Sequence, residues 1–375
     1  MDSYFKNNIH LNTSLNPKEV IKWENKNNSY LSSYSFLKHF NLLNRQSTIP
    51  LYITHPKGNL YGHIIKLKGK KIGNYYKTKN NFNLQSLLLR PFSLEFFCFG
   101  NTHLSNVSTS CETPLKMVEV VQIIERIKVR HKINFFLLPD HFLKQLNAEE
   151  LAKNNRFHFF DSEPVMAIEI PIHWKTINDY LADIKSKYKK RYRSIIKKSK
   201  SFKTIEINLE NIDKYITSIK NLYSNVYKRS SFSGPPFNIN IFSSFLADIE
   251  LNFKIKGYLD CNNNLIAFSS YFIVDQILYS YYIGLDYTEN LKHNTYNRML
   301  YDKLELGIKN KVKSVIYGRT AHEFKSTIGA IPSNSKSAVY ISNSILNLVL
   351  KPFVSRLEIK TWVQRNPFKK MYFNS

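Results

Sequence analysis

Apolar and polar positions form short β-like runs separated by turn residues, and the same succession of runs occurs twice along the chain. In the first half, residues 49–54 lead through His55-Pro56-Lys57-Gly58-Asn59 into residues 60–65. Two β-rich runs around a Pro-Lys-Gly-Asn turn predict a hairpin. A third apolar run, 94–99, stops at Gly100-Asn101. Between 113 and 131, Leu115, Val118, Val121 (with Val120), Ile124 and Ile127 recur at three- and four-residue spacing and predict a helix, followed by a strand at 133–138. The second half repeats the order. A hairpin is expected from 253–259 and 265–272 around Asp260-Cys261-Asn262-Asn263-Asn264, then a strand at 277–283. A helix follows at 295–310, with Met299, Leu300, Leu304 and Ile308 on one face, and then a strand at 314–317 closed by Gly318. Hairpin, strand, helix, strand, twice over, predicts two copies of one α/β unit. Strand alternation puts Tyr281 and Tyr282 on opposite faces.

Between the halves, Ile177, Leu181, Ile184, Tyr188, Tyr192 and Ile195 make one apolar stripe, predicting a long amphipathic helix over 176–203. Its other face carries Lys185, Lys187, Lys189, Lys190, Arg191, Arg193, Lys197, Lys198 and Lys200. Such clustering repels itself at helical spacing and suits the docking of an anion. A single helical stretch is expected at 214–227. A last helix, 343–360, carries Ile345, Leu346, Leu348, Val349, Leu350, Phe353, Val354 and Leu357, with Pro352 as a kink. Lys351, Arg356, Lys360, Arg365, Lys369 and Lys370 lie in or after it, so it either rests on an anionic membrane or packs onto its domain. These features divide the chain at 1–170, 171–342 and 343–375.

Composition narrows the function classes. At 375 residues, 43% hydrophobic and 14% aromatic, the chain can bury two cores. No run approaches the ~20 apolar residues of a membrane helix. The polar start and the three unspaced cysteines (Cys98, Cys111, Cys261) point to a reducing cytoplasm, with no metal and no disulfide framework. Lys plus Arg number 54 against 28 acids, a net charge of +26. AT-rich coding explains abundant lysine but not scarce acids. The excess therefore indicates an acidic partner: a carrier protein, a nucleic acid, a phosphorylated cofactor or an anionic membrane face. No Ser-His-Asp order, zinc spacing or P-loop occurs, and Gly73-Asn74-Tyr75-Tyr76 fits a turn.

Three stretches carry a resemblance. They are Ser186-Lys187-Tyr188-Lys189-Lys190-Arg191-Tyr192-Arg193, Tyr281-Tyr282-Ile283-Gly284-Leu285-Asp286-Tyr287, and Tyr317-Gly318-Arg319-Thr320-Ala321-His322-Glu323-Phe324-Lys325 continuing to Gly329-Ala330-Ile331-Pro332. Over roughly 180–335 the chain resembles the GNAT-related acyltransferases, in particular the peptidoglycan-biosynthesis or Fem-like branch. The resemblance implies an α/β (α+β) fold of two GNAT-like mixed-sheet domains in tandem, the first degenerate. The acyl donor would lie where the fourth and fifth strands splay, and an amine would attack its carbonyl without a covalent acyl-enzyme. Ordinary members cradle the coenzyme A pyrophosphate on a Gly-rich loop; here that position reads Glu289-Asn290-Leu291-Lys292-His293-Asn294-Thr295, without glycine. Lys292, His293, Asn294 and the following helix start remain as a one-phosphate site.

The implied activity is N-acyl transfer from a thioester of acyl carrier protein or coenzyme A, with no tightly bound cofactor, onto the amine of a lipid or cell-envelope precursor. The enzyme would be cytoplasmic, or peripheral on the inner membrane face. Fem-like aminoacyl transfer from charged tRNA and a non-catalytic nucleic-acid- or membrane-binding role are the alternatives. Ser280, Tyr281, Ile283 and Gly284 would hold the donor through strand amides. Glu323 with His322 would supply the base and Tyr282 the acid, although Glu323 could equally pair with Arg319 or Lys325. His293 is a second candidate base. Arg319 and Lys325 would bind the acceptor, and Lys189, Lys190, Arg191 and Arg193 would dock the carrier.

Overall fold

The computed structural model describes residues 9–27, 29–69, 93–104, 109–230, 234–333, 335–354 and 361–369. The 73–76 turn lies outside them, as does the end of the last helix. Strands in chain order are β1 (His10–Asn12), β2 (Thr48–His55), β3 (Gly58–Lys68), β4 (Ser93–Phe99), β5 (Thr109–Cys111), β6 (Phe135–Leu138), β7 (Phe157–Asp161) and β8 (Met166–Glu169). They continue with β9 (Lys203–Ile207), β10 (Lys254–Leu259), β11 (Leu265–Val274), β12 (Ile277–Leu285), β13 (Ser314–Gly318), β14 (Ile331–Pro332) and β15 (Lys336–Ile341). The helices that matter here are α1 (Met117–His131), α2 (Ile177–Asp183), α3 (Ser186–Lys198), α4 (Ile212–Arg229), α5 (Tyr287–His293), α6 (Thr295–Lys309), α7 (His322–Ser326) and α8 (Ser344–Val354).

The chain forms two compact units, each built on one mixed sheet. Unit 1 holds Met1–Ser162, Ser231–Ile241 and Ser335–Ile359; unit 2 holds Glu163–Ser230, Phe242–Asn334 and Lys360–Ser375. The expected α/β class with two mixed sheets is thus what the molecule has. The unit limits differ from divisions at 170 and 342, because β15 pairs with β6 and β7 of the first sheet rather than closing the second.

In unit 1 the sheet order is β1-β2-β3-β4-β6-β15-β7, with β5 on β3. The β2–β3 hairpin turns at Pro56-Lys57. Gly58 lies at φ +152, and a Cβ there would collide with the Ser110 carbonyl and come 2.7 Å from the Cys111 Cα, so β5 can approach only a glycine. Helix α1 starts where Glu119 accepts from the Lys116 amide at 2.7 Å. It buries Val120, Ile123, Ile124 and Ile127 against the sheet, each worth about 1.5–3 kcal/mol.

In unit 2 the order is β14-β8-β13-β12-β11-β10-β9. Asp260 accepts from the amides of Asn262 and Asn264 and shapes the β10–β11 turn. Helix α4 packs its apolar face, including Ile219, Leu222 and Tyr223, on β11 and β12. The long helix expected over 176–203 is two helices. Ile184 is extended (φ −88°, ψ 157°), fully buried, and bridges Phe368, while the Lys185 amide donates to Pro367 at 2.8 Å. Pairing with the chain end outweighs continuation of the apolar stripe. In α8, Leu346, Leu350 and Val354 pack on the first sheet.

Candidate functional site

The site follows from where two parallel strands part. Strands β12 and β13 pair at Ile277↔Ser314, Leu278↔Val315 and Tyr279↔Ile316, and no further. Beyond that point β12 runs on with β11 alone, and β13 with β8. A bulge causes the parting. Ser269 faces Ile283 and Tyr271 faces Ser280, so Tyr281 and Tyr282 stand opposite the single residue Ser270. The Ser270 hydroxyl donates to the Tyr282 carbonyl at 2.7 Å and pins the extra residue. Bulges bend and over-twist a strand, which carries β12 away from its neighbour. They also break the alternation of faces. The Tyr281 and Tyr282 rings, expected on opposite faces, lie 4.8 Å apart, edge to face. Tyr282 packs on Tyr223 at 5.4 Å and Tyr281 on Phe272 at 5.6 Å. Burial holds both phenols well above their usual pKa, so they stay protonated.

Two buried lysines converge beside this opening. Lys303, from α6, is 3% exposed and donates to the hydroxyl of Ser280, the first β12 residue past the last β12–β13 pair. Lys325, from α7, is also 3% exposed and donates to the carbonyls of Gly318, at 3.0 Å, and of Arg319, at 2.6 Å. Burial pushes each amine down to about 7 from 10.5, and the charge of Lys303 adds to the shift at Lys325. Two nearby amines in a desolvated site share charge reluctantly, so the pair favours one ammonium and one free amine near neutral pH. Glu163, just before β8, completes the group. Burial raises its carboxyl pKa, with Lys325 and Arg319 pulling the other way.

The turn after β13 is strained in a way that serves Lys325. Gly318, Thr320 and Ala321 all have positive φ (+73°, +66° and +50°). For a β-branched threonine that region is unfavourable by roughly 1–3 kcal/mol. The conformation directs two successive carbonyls at the Lys325 ammonium.

The expected site residues fall unevenly around this group. Ser280 and Lys325 belong to it. Arg319 braces it, its guanidinium donating to the Glu163 carbonyl. His322 is buried and stacks on Trp362 at 5.1 Å; burial, then Lys325, lowers its pKa, so the ring is neutral. Its Nε2 has no hydrogen-bond partner among the described residues. Glu323 faces away, in an ion pair with Arg365 through Nε at 3.0 Å and through Nη2, both side chains nearly half exposed. Tyr282 lies in the aromatic layer under α4, and Ile283 and Gly284 continue β12.

The stretch after β12 is helical rather than a loop. In α5, Lys292 pairs with Glu289 at 2.8 Å, and His293 bonds the Lys198 carbonyl at 2.9 Å. Asn294 (φ +54°) joins α5 to α6, and the Asn290 side chain accepts from the Tyr296 amide at 2.8 Å. One amide of the helix start expected to meet a phosphate is therefore already satisfied. On α3, Lys190 and Arg193 are exposed and Lys189 is half-buried, whereas Arg191 turns inward to Asn297 at 3.4 Å.

Lys303 and Glu163 were not anticipated. Lys303 did leave a trace, since it falls between Leu300 and Leu304 on the apolar stripe of its helix, where a lysine is out of place. Nothing in the sequence marks Glu163. In unit 1 the comparable strands β4 and β6 pair only at Phe96↔Phe135, Phe97↔Phe136 and Cys98↔Leu137. There the space beside Gly100 is filled by His141, whose Nε2 would lie 2.5 Å from a Cβ at that glycine. Among the described residues no group of three His, Cys, Asp or Glu side chains could hold a metal ion.

No family model matches the chain, and no curated protein matches it by sequence. Solved structures do resemble it. The C-terminal (DUF2156) domain of a putative lysylphosphatidylglycerol synthetase from Agrobacterium fabrum is 7% identical, with TM-score 0.48 over 90% of this chain and 96% of that one. The L-PGS structure from Bacillus licheniformis is 9% identical, with TM-score 0.48 over 91% and 97%. FemX is 11% identical, with TM-score 0.48 over 91% and 100%.

Proposed function

We propose that this chain is an N-acyltransferase that moves an acyl group from a carrier thioester onto an amine. The observation that carries the reading is the opening between β12 and β13, formed at a bulge and flanked by two buried amines of pKa about 7. A donor carbonyl laid along β12 beyond Tyr279 meets a strand edge that β13 does not use. The acceptor arrives as an ammonium and must lose a proton before its nitrogen can attack. An amine of pKa near 7 is matched to that task, and the charged partner of the pair stabilises the developing oxyanion. As the tetrahedral centre collapses the carbon–sulfur bond breaks, and the departing thiolate takes a proton from the ammonium of the lysine pair, while the new amide nitrogen gives up its extra proton to the free amine. Lys303 and Lys325 thus replace Glu323 as the groups that work on the reacting atoms, with Arg319 and Glu163 positioning them.

Two features support a carrier protein as the donor over free coenzyme A. The helix start after β12 has Asn290 where a pyrophosphate would bind, and α3 offers exposed Lys190 and Arg193 to an acidic carrier. The acceptor would be an amine-bearing lipid or cell-envelope precursor. The test is intact-mass analysis after incubation with acyl carrier protein thioesters, acyl-coenzyme A or aminoacyl-tRNA, each with a panel of amines. Amide formation at the expense of a thioester is expected, falling by about 10²–10⁴ in Lys303→Met. Consumption of aminoacyl-tRNA alone, abolished by RNase, would replace this reading with tRNA-dependent transfer. No turnover with any donor would leave a binding protein.

A further inference from the structure

Helix α8 is apolar on both sides. Leu346, Leu350 and Val354 pack on Phe135, Val339 and Ile341. The other side presents Ile345, Leu348 and Val349 to solvent at 75%, 78% and 55% exposure. These three positions form a single stripe, on the face where a surface helix normally places polar residues. A stripe of that kind marks an interaction site.

We infer that α8 is an interfacial anchor that lays this stripe on an anionic lipid surface. Charge decides the occupant. Lys351 is exposed on the helix itself. The Arg156 guanidinium sits at its start, donating to the Ser342 carbonyl and to the Ser344 hydroxyl at 3.1 Å. Directly after the described part of the helix, the sequence from 355 to 360 holds Arg356 and Lys360 against one acid, Glu358. An apolar stripe on a helix that carries Lys351, with Arg156 at its start, matches the boundary between acyl chains and acidic headgroups, where a helix lies flat and sinks about 5–10 Å. A second copy would meet like charge on a chain of net +26. None of the described helices is long and apolar enough to cross a membrane, so the attachment is to one face.

The test uses the full chain and no substrate, so its failure is distinct from failure of the acyl-transfer reading. Protein is sedimented with phosphatidylcholine vesicles, with and without phosphatidylglycerol. The comparison protein carries Ile345→Ser, Leu348→Ser and Val349→Ser, with Leu348→Ser alone as the milder lesion. Val129→Ser, at an exposed apolar position on α1, is the control. Circular dichroism confirms that each variant is folded. Wild type and the control should bind the anionic vesicles, and the triple variant should bind roughly tenfold or more weakly. Two results overturn the inference. One is binding unchanged in the folded triple variant; the other is no vesicle binding by wild type, whether or not it forms a dimer that the triple variant dissolves.

Discussion

Replacing Lys303 by Met should change how the stability of this protein depends on pH. In the folded chain burial disfavours the ammonium and lowers the pKa to about 7, against 10.5 when exposed. Between those values the unfolded chain holds a proton that the folded chain has released, so stability rises with pH. The contribution is complete only above 10.5, is lost progressively as pH falls towards 7, and levels off below. With 1.36 kcal/mol per pKa unit, Lys303 alone makes the folded state gain about 2 kcal/mol between pH 7 and pH 9. Met keeps a similar apolar volume and cannot take up the proton. Urea unfolding at pH 7, 8 and 9 should therefore show that gain reduced by about 2 kcal/mol in Lys303→Met. Buried tyrosines titrate alike in both proteins and cancel in the comparison. Because a desolvated amine is removed, the variant should be no less stable than wild type at pH 7 while losing transfer activity. Equal pH slopes in the two proteins would refute the claim that Lys303 is desolvated, and with it the assignment of this amine as the base.

Two other substitutions test the surroundings. Glu323→Gln breaks only the exposed pair with Arg365, so stability should move by less than about 1 kcal/mol and turnover should stay within about twofold; a hundredfold loss would return Glu323 to the reaction. Gly284→Ala places a Cβ against the Phe268 ring and 2.6 Å from the Leu222 Cβ, and should cost about 1–3 kcal/mol in urea unfolding, with no loss if α4 can shift.

Much of the fold is legible in the sequence because its strands and helices follow the periods of 2 and 3.6. Both hairpins, α1, α6 and the strands flanking them lie where alternation and turn chemistry put them. The exceptions have specific causes. The apolar stripe continues in phase from Leu181 through Ile184 to Tyr188, so nothing local announces a break that depends on Phe368. The bulge at Tyr281-Tyr282 is set by the register against Ser270, which a single strand's pattern does not contain. The site suffers most from this. Lysines are ordinarily exposed, and among 54 basic residues only spatial neighbours distinguish Lys325, while Lys303 shows in the sequence only by its place between Leu300 and Leu304. Glu323 stood out as a carboxylate past a core strand, yet a helix's first turn can aim a side chain outward as readily as inward.

Strand β15 has a consequence for how the chain must be made. It is the sole described sheet partner of β7, and it joins β7 to β6. On the ribosome β7 emerges roughly 170 residues before β15, a delay on the order of ten seconds or more. Throughout that interval the first sheet lacks its seam, and β6 carries an open backbone edge of the sort that recruits foreign strands. The second unit is synthesised almost entirely within the gap. Unit 1 therefore cannot close its sheet until nearly all of unit 2 has been made, although its own first strands are translated first, and holding that edge free of other chains is a burden the cell carries for every copy.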